Sequence, residues 1–205
     1  MSNEFWDEKY DVDGYRYGTQ PNAFVEAQAL KVIEPEGRVL CLGAGEGRNA
    51  IWLAKQGFEV TAVDASKVGV EKLRRRADEE DLHIEAVVAD VDEWTPEVGG
   101  FDAVVMTFFH RPPEARPATH QKAIDALRPG GVVILEGFTP KQRELGRESG
   151  GPPDVELMFT PEILRDDFEA LDIELLEEDT VELDEGPGHS GPAEVVRMIA
   201  RRTGN

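Results

Sequence analysis

Residues 38–64 read RVLCLGAGEGRNAIWLAKQGFEVTAVD, and this stretch decides the fold. Arg38 to Leu42 is a short apolar run that suits a strand buried on both faces. Gly43, Gly45 and Gly47 then alternate with Ala44 and Glu46. From Arg48 the spacing turns helical, with Ala50, Ile51, Leu53 and Ala54 on one face and Gly57 as the stop. Phe58 to Val63 is a second apolar strand, closed by Asp64. The pattern is a βαβ unit with a glycine-rich first turn. Its acidic residue falls about 20 residues past the first glycine, where a ribose diol can be held. The glycines let backbone approach a ligand closely, and the helix start offers free N–H groups.

The glycine spacing narrows the ligand. Dinucleotide sites use G-x-G-x-x-G, whose third glycine allows close helix–strand packing. Here the third glycine is Gly47 and Arg48 stands in the reserved slot. G-x-G-x-G resembles motif I of the class I S-adenosylmethionine (SAM) methyltransferases. That resemblance implies SAM as cofactor, with its amino-acid end over Gly43, Ala44, Gly45, Glu46, Gly47, Arg48 and Asn49, and its ribose at Asp64–Ala65. Cys41 departs from the pattern, because the family usually carries Asp or Glu two residues before the first glycine. An NAD site and a bare α/β turn are the alternatives for these residues alone.

Composition bounds the rest. At 205 residues and 40% hydrophobic content the chain suits one α/β domain spanning 1–205. No apolar run reaches membrane length, and MSNEFWDEKY is not a signal peptide, so no membrane association is expected. The single cysteine excludes an intramolecular disulfide and fits a reducing cytoplasm. No metal site is expected, and the sequence carries no sign of an oligomeric state. The formal charge of −20 repels phosphate backbones, which makes nucleic acid an unlikely partner. The same charge, with arginine favoured over lysine, also fits solubility in high salt.

Residues 3–24 hold all three tyrosines, Tyr10, Tyr15 and Tyr17, with Phe5, Trp6 and Phe24. Residues 1–24 read either as an aromatic arm covering the core or as a lid, since aromatic faces suit a sulfonium cation. Tyr17 is the residue expected at the cofactor. Asn22 is a cap for the helix that follows, which stops before Pro35. Ser66 is an N-cap candidate for a further helix, after the second strand. His83–Ala89 reads as the third strand, ending in Asp90–Val91, and Phe101–Thr107 as the fourth, leaving through Phe108, Phe109 and His110. A helix over about 117–127 and the turn Arg128–Gly131 lead to the fifth strand, Val132–Leu135. Residues 139–159 form a long connection rich in glycine and proline, read as an acceptor-side loop or a disordered insertion. Leu171–Leu183 and Ala193–Ala200 alternate as a closing hairpin around DEGPGHSGP.

LRPGGVVILEGF also resembles the methyltransferase motif around strand five, in the right order and at the right distance. The subgroup resemblance is to small bacterial enzymes of the tellurite-resistance and thiopurine methyltransferase type. It rests on YGTQPN (residues 17–22), GEGRNA (45–50) and LEGF (135–138). The fold it implies is a doubly wound α/β sheet of seven strands, mostly parallel, in the order 3-2-1-4-5-7-6, with an antiparallel C-terminal hairpin. Asp90 would bind the adenine amine, with Val91 against the ring and Phe108 nearby. Trp94 would wall the pocket or fill the core. The activity implied is methyl transfer to a small-molecule acceptor such as a thiol or an oxyanion of selenium or tellurium. A SAM-binding module without catalysis is the competing class. Topology puts the exits of strands four and six on one rim. His110 and His189 are therefore the expected catalytic residues, each able to accept a proton near neutrality.

Overall fold

The structure is a computed structural model describing residues 3–204. Its strands are β1 (Arg38–Leu42), β2 (Glu59–Asp64), β3 (Ile84–Val88), β4 (Phe101–Thr107), β5 (Leu127–Phe138), β6 (Asp172–Asp184) and β7 (Ser190–Arg201). They form one sheet in the order β3-β2-β1-β4-β5-β7-β6. β7 runs antiparallel to both β5 and β6, and the other pairings are parallel. This is the class I methyltransferase sheet expected above.

The β1 run explains why the sheet has helices on both sides. Val39 and Cys41 face one layer, with Phe24, Val25, Leu53 and Leu73. Leu40 and Leu42 face the other, with Ala123, Ile124, Leu164 and Phe168. A strand buried on both faces can afford no polar residue, so its sequence is continuously apolar. The first layer carries α2 (Ala23–Val32), α3 (Arg48–Lys55) and α4 (Lys67–Glu79); the second carries α5 (Arg116–Ala126) and α7 (Pro161–Asp167). Asn22, Ser66 and Thr160 cap α2, α4 and α7, each side chain accepting a backbone N–H three residues on. Trp94 packs against the second layer.

Three stretches differ in detail from the sequence reading. The N-terminal segment is not wholly broken, because Asn3–Tyr10 forms α1, and its Asp7 Oδ1 accepts from Ser66 Oγ (2.6 Å) and Val68 N (3.1 Å) at the start of α4. The turn Arg128–Gly131 lies within β5. Leu127 pairs with Phe101 and Val132 with Ala103, so these four residues bulge out of register, with Gly130 at φ +84°.

The connection 139–159 is ordered, not a disordered insertion. It holds α6 (Lys141–Glu144) and a 3₁₀ turn at Val155–Leu157. One guanidinium organises it. Arg143 donates to the carbonyls of Arg147 (3.1 Å), Gly150 (3.2 Å), Gly151 (2.7 Å) and Pro152 (3.0 Å). Gln142 is fully buried beside it and donates to Ser149 Oγ at 3.0 Å. Among the described residues no helix is long and apolar enough to cross a membrane.

Candidate functional site

A cavity of about 290 Å³ opens at the carboxyl ends of the parallel strands. Its walls come from α1 and the segment after it, the glycine turn, the exits of β2, β3 and β4, the start of the 139–159 connection's glycine–proline strip, and the β6–β7 loop. Tyr17, Gly43, Ala44, Gly45, Glu46, Arg48, Asn49, Asp64, Ala65, Asp90, Val91, Phe108, His110 and His189 all line it.

Gly47 does not line it, which corrects the reading that put it against the cofactor. It caps α3 at φ +83°, and a Cβ there would fall 2.4 Å from Leu73 Cγ. Its missing side chain serves helix packing. Gly43 (φ +66°) and Gly45 (φ +53°) form the cradle itself, where a Cβ would meet the Phe109 ring at 2.4 Å and the Tyr10 hydroxyl at 2.5 Å. Both glycines line the cavity, and their positive φ keeps the turn free of side chains there.

Asp64 closes the cradle from β2. Its Oδ2 accepts from Gly45 N at 2.7 Å and its Oδ1 from Ser66 N at 2.8 Å. A carboxylate offers about four acceptor positions. Two remain for a ribose diol, so the residue both braces the loop and can hold a sugar. Burial raises its pKa, and the two backbone N–H groups work the other way. Asp90 uses Oδ1 to accept from Asp92 N at 3.0 Å, and Val91 beside it is buried. Cys41 points into the core, and burial pushes its thiol up to about 12. It takes no part in the cavity.

The three motifs quoted for the subgroup resemblance meet in one buried hydrogen-bond network. Asn22 N donates to Asn49 Oδ1 (2.8 Å), and Asn49 Nδ2 donates to Thr107 Oγ1 (2.8 Å). Asn22 Nδ2 donates to both Glu136 Oε1 (2.6 Å) and Glu185 Oε1 (3.1 Å). Arg197 neutralises Glu136 at 2.6 Å, and Arg48 neutralises Glu185 at 2.8 Å. YGTQPN, GEGRNA and LEGF thus supply Asn22, Asn49 and Glu136. Glu46 does the same for the N-terminal segment, accepting from Arg16 N (2.8 Å) and pairing with Lys72 Nζ (2.8 Å). Lys72 Nζ also donates to the carbonyls of Val12 (3.0 Å) and Gly14 (2.7 Å).

The far end of the cavity is aromatic. Tyr17 and His189 have ring centroids 4.4 Å apart, Phe108 and His189 4.5 Å, and Phe108 and Phe138 4.6 Å. Phe108 holds φ +53°, a left-handed conformation that a bulky residue adopts only when its surroundings impose it. Burial raises the pKa of Tyr17, so it stays a phenol.

The two histidines differ. His110 Nδ1 is 2.9 Å from the Leu157 carbonyl, and its Nε2 accepts from Phe138 N at 3.1 Å. The carbonyl requires a proton on Nδ1 and the amide requires a lone pair on Nε2, so both ring nitrogens are engaged by backbone. Burial pushes its pKa down to about 4. This corrects the expectation of a free proton acceptor at His110: the ring braces the β4 and β5 exits. His189 Nδ1 faces Glu185 Oε2 at 3.2 Å, and its Nε2 has no hydrogen-bond partner among the described residues. His83 is exposed, and His120 is buried against Asp167, Phe159 and Phe168, so neither reaches the rim.

The sequence reading missed Glu185, Arg16, Tyr10 and Phe138 as site residues. A carboxylate four residues before His189 was the available signal for Glu185. Tyr10 and Phe138 carried no signal beyond their aromaticity.

Fold and cavity together resemble those of class I methyltransferases, and the lining residues suit a nucleoside-bearing ligand. Residues 39–131 match the family described as a methyltransferase domain. The proteins it resembles include SAM-dependent methyltransferases. It is 29% identical over 137 residues to a 2-heptyl-1-hydroxyquinolin-4(1H)-one methyltransferase of Mycobacteroides abscessus, a match spanning 64% of this chain and 57% of that protein. It is 31% identical over 88 residues to the probable SAM-dependent methyltransferase TehB of Haemophilus influenzae, spanning 43% of this chain and 30% of that one. tRNA (uracil(54)-C(5))-methyltransferases also match. A solved structure described as "Conversion of a Disulfide Bond into a Thioacetal Group during Echinomycin Biosynthesis" superposes with a TM-score of 0.80 at 24% identity, covering 98% of this chain and 91% of that one. The matches to the first curated relatives span from about a third to just over half of their length.

Proposed function

We propose that the chain transfers a methyl group from SAM to a small-molecule acceptor. The observation that carries this is the cavity itself. A glycine cradle and Asp64 stand at one end and an aromatic enclosure at the other, both on the carboxyl rim of the sheet. Bound SAM supplies an electrophilic methyl on a sulfonium that leaves as a neutral thioether. The residues of this chain need to bind, orient and exclude water. Asp64 would hold the ribose and Asp90 the adenine amine. Gly43 and Gly45 would let the amino-acid end lie close to backbone. Tyr17 and Phe108 would present ring faces to the sulfonium. Residues 3–24 act in this reading as a lid, residues 1–2 of that segment lying outside those described, and residues 139–159 as the acceptor-side wall, whose strip Gly150–Pro153 lines the cavity.

Within small molecules, a thiol or a chalcogen oxyanion would need little help from a base. A relative named for a hydroxyquinolone widens the class to ring hydroxyls. A tRNA acceptor is the second reading, on the strength of the tRNA methyltransferases among the relatives. The formal charge of −20 opposes it. A SAM-binding module without turnover is the third reading, because β1 presents Cys41 to the core in place of an acid at the ligand.

Incubation with methyl-labelled SAM and panels of thiols, selenite and tellurite, phenols, and bulk tRNA separates these readings. Label is expected in one of the small-molecule panels. Label in tRNA alone, or tight SAM binding with no label anywhere, contradicts the proposal.

A further inference from the structure

This inference rests on the methyltransferase reading and deepens it. Among the described histidines only His189 both lines the cavity and keeps a ring nitrogen clear of protein partners. The geometry points to Glu185 and His189 as a proton-accepting dyad, with Nε2 facing a flat aromatic acceptor that carries a weakly acidic O–H or S–H. Glu185 is the positioning residue and His189 the group that touches the acceptor.

Several observations converge on this. The Glu185 carboxylate is buried and held from three sides. Arg48 Nη2 and His189 Nδ1 lie 2.8 Å and 3.2 Å from its Oε2, and Asn22 Nδ2 donates to its Oε1 at 3.1 Å. So anchored it cannot swing away. A carboxylate facing Nδ1 demands a proton on that nitrogen, which leaves the lone pair on Nε2. Burial opposes the charge on Glu185, but His189 and Arg48 outweigh it and keep it an anion. The charged and titratable groups facing His189 are Glu185, Arg48, Arg16 and Tyr17, with His110 acting on it from the β4 exit. Burial leads in holding the imidazole neutral and Arg48 and Arg16 add to it, while Glu185 acts against them.

Glycine backbone packs closely against the His189 and Tyr17 rings. A Cβ on Gly150 would fall 2.6 Å from His189 Cδ2 and 3.1 Å from Nε2, and one on Gly188 would strike the Tyr17 ring at 2.4 Å. The rings of Tyr17, Phe108 and Phe138 surround His189 at centroid distances of 4.4, 4.5 and 5.4 Å. Flat walls favour a flat guest. A selenium or tellurium oxyanion, or a thiol already ionised, would leave a base idle.

The acceptor gives its proton to Nε2, and its lone pair forms the new bond to the methyl carbon as the carbon–sulfur bond of SAM breaks. The bonding pair stays on sulfur, giving S-adenosylhomocysteine. His189 then loses the proton to solvent. A base of this kind contributes about 10²–10⁴-fold to rate.

The test uses the full chain loaded with S-adenosylhomocysteine and 4-nitrophenol as probe, at a pH where the free probe is mostly the colourless phenol. Bound probe is expected to show the phenolate absorption band. The band should fall at least tenfold in His189→Gln and be weakened in Glu185→Gln. In the wild-type chain, imidazole nitrogen-15 shifts should report Nδ1–H on His189 alone, with Nε2 gaining a proton only when the probe binds. That reading does not depend on either variant folding. Probe that binds as neutral phenol, fails to bind, or keeps its band in both variants overturns the dyad. Failure of S-adenosylhomocysteine to bind overturns the methyltransferase reading instead, so the two failures are distinguishable.

Discussion

Asn22→Ala should lower the melting temperature by about 10 °C, from a loss of about 3–4 kcal/mol. Three contributions add up. The Asn22 side chain caps α2 through Val25 N at 3.1 Å, and an N-cap is worth about 1 kcal/mol. Its amide also donates to two buried carboxylates, Glu136 at 2.6 Å and Glu185 at 3.1 Å. Hydrogen bonds to charged groups are worth about 1.5–3 kcal/mol each, and the two share one amide. Removing the donor leaves two buried anions facing one another across a gap, with only Arg197 and Arg48 to balance them. Asn22→Asp makes the test sharper. It keeps the cap but sets a third carboxylate against the other two, so near neutral pH it should be at least as damaging as alanine. Thermal unfolding of both variants checks this. An aspartate variant as stable as wild type would show that the network is not what holds the N-terminal segment.

Gly47→Ala should cost about 3 kcal/mol or more by urea unfolding, and it should do so without touching the ligand. The residue sits at φ +83°, where any side chain is strained, and the added methyl would overlap Cβ, Cγ and Cδ1 of Leu73 within 2.8 Å. Leu73 is fully buried between α4 and the sheet, so it has nowhere to go. Gly45→Ala is the useful contrast. Its methyl would meet the tip of Tyr10, the hydroxyl at 2.5 Å, in the N-terminal segment, and a shift of that segment relieves the clash. It should therefore weaken cofactor binding more than it weakens the fold. Equal stability losses in the two variants would contradict the division between a packing glycine and a cradle glycine.

The contrast also shows what could be read from the chain. A glycine in an R-x-L-x-L-G-x-G-x-G context announces positive φ and close approach, but not which atoms approach. Gly47 looks like part of the cradle because the atom that excludes its side chain, on Leu73, lies 26 residues later in another helix. The end of the cavity proposed for the cofactor was legible because it is local: the glycine turn, Asp64 and the strands carrying them fall within residues 38–64. Asp90 and Val91 followed once a third strand was placed. The sheet order was legible only through resemblance, since spacing alone sets no neighbours beyond a βαβ unit.

The acceptor end could not be read the same way. It is assembled from residues 10, 16–18, 107–111, 138, 150–153 and 188–189, which meet only after the sheet is built. His110 was expected as a base because it leaves β4 on the correct rim, which it does. What takes it out of that role is a backbone carbonyl at Leu157 and a backbone amide at Phe138, and backbone atoms leave no mark in a sequence. The same holds for the connection 139–159. Its glycines and prolines read as loose, yet four carbonyls converge on Arg143, and this converts a flexible composition into a wall.

The central claim is that SAM occupies the cavity with its ribose on Asp64. Calorimetric titration of S-adenosylhomocysteine into wild type and Asp64→Ala tests it most directly. The account predicts one site per chain, no displacement by NADH, and affinity weakened about 10- to 150-fold in the variant, equivalent to about 1.5–3 kcal/mol for hydrogen bonds to a charged group. No binding to wild type, or binding to a folded Asp64→Ala within a factor of about two of wild type, an energy difference of only about 0.4 kcal/mol, would contradict it.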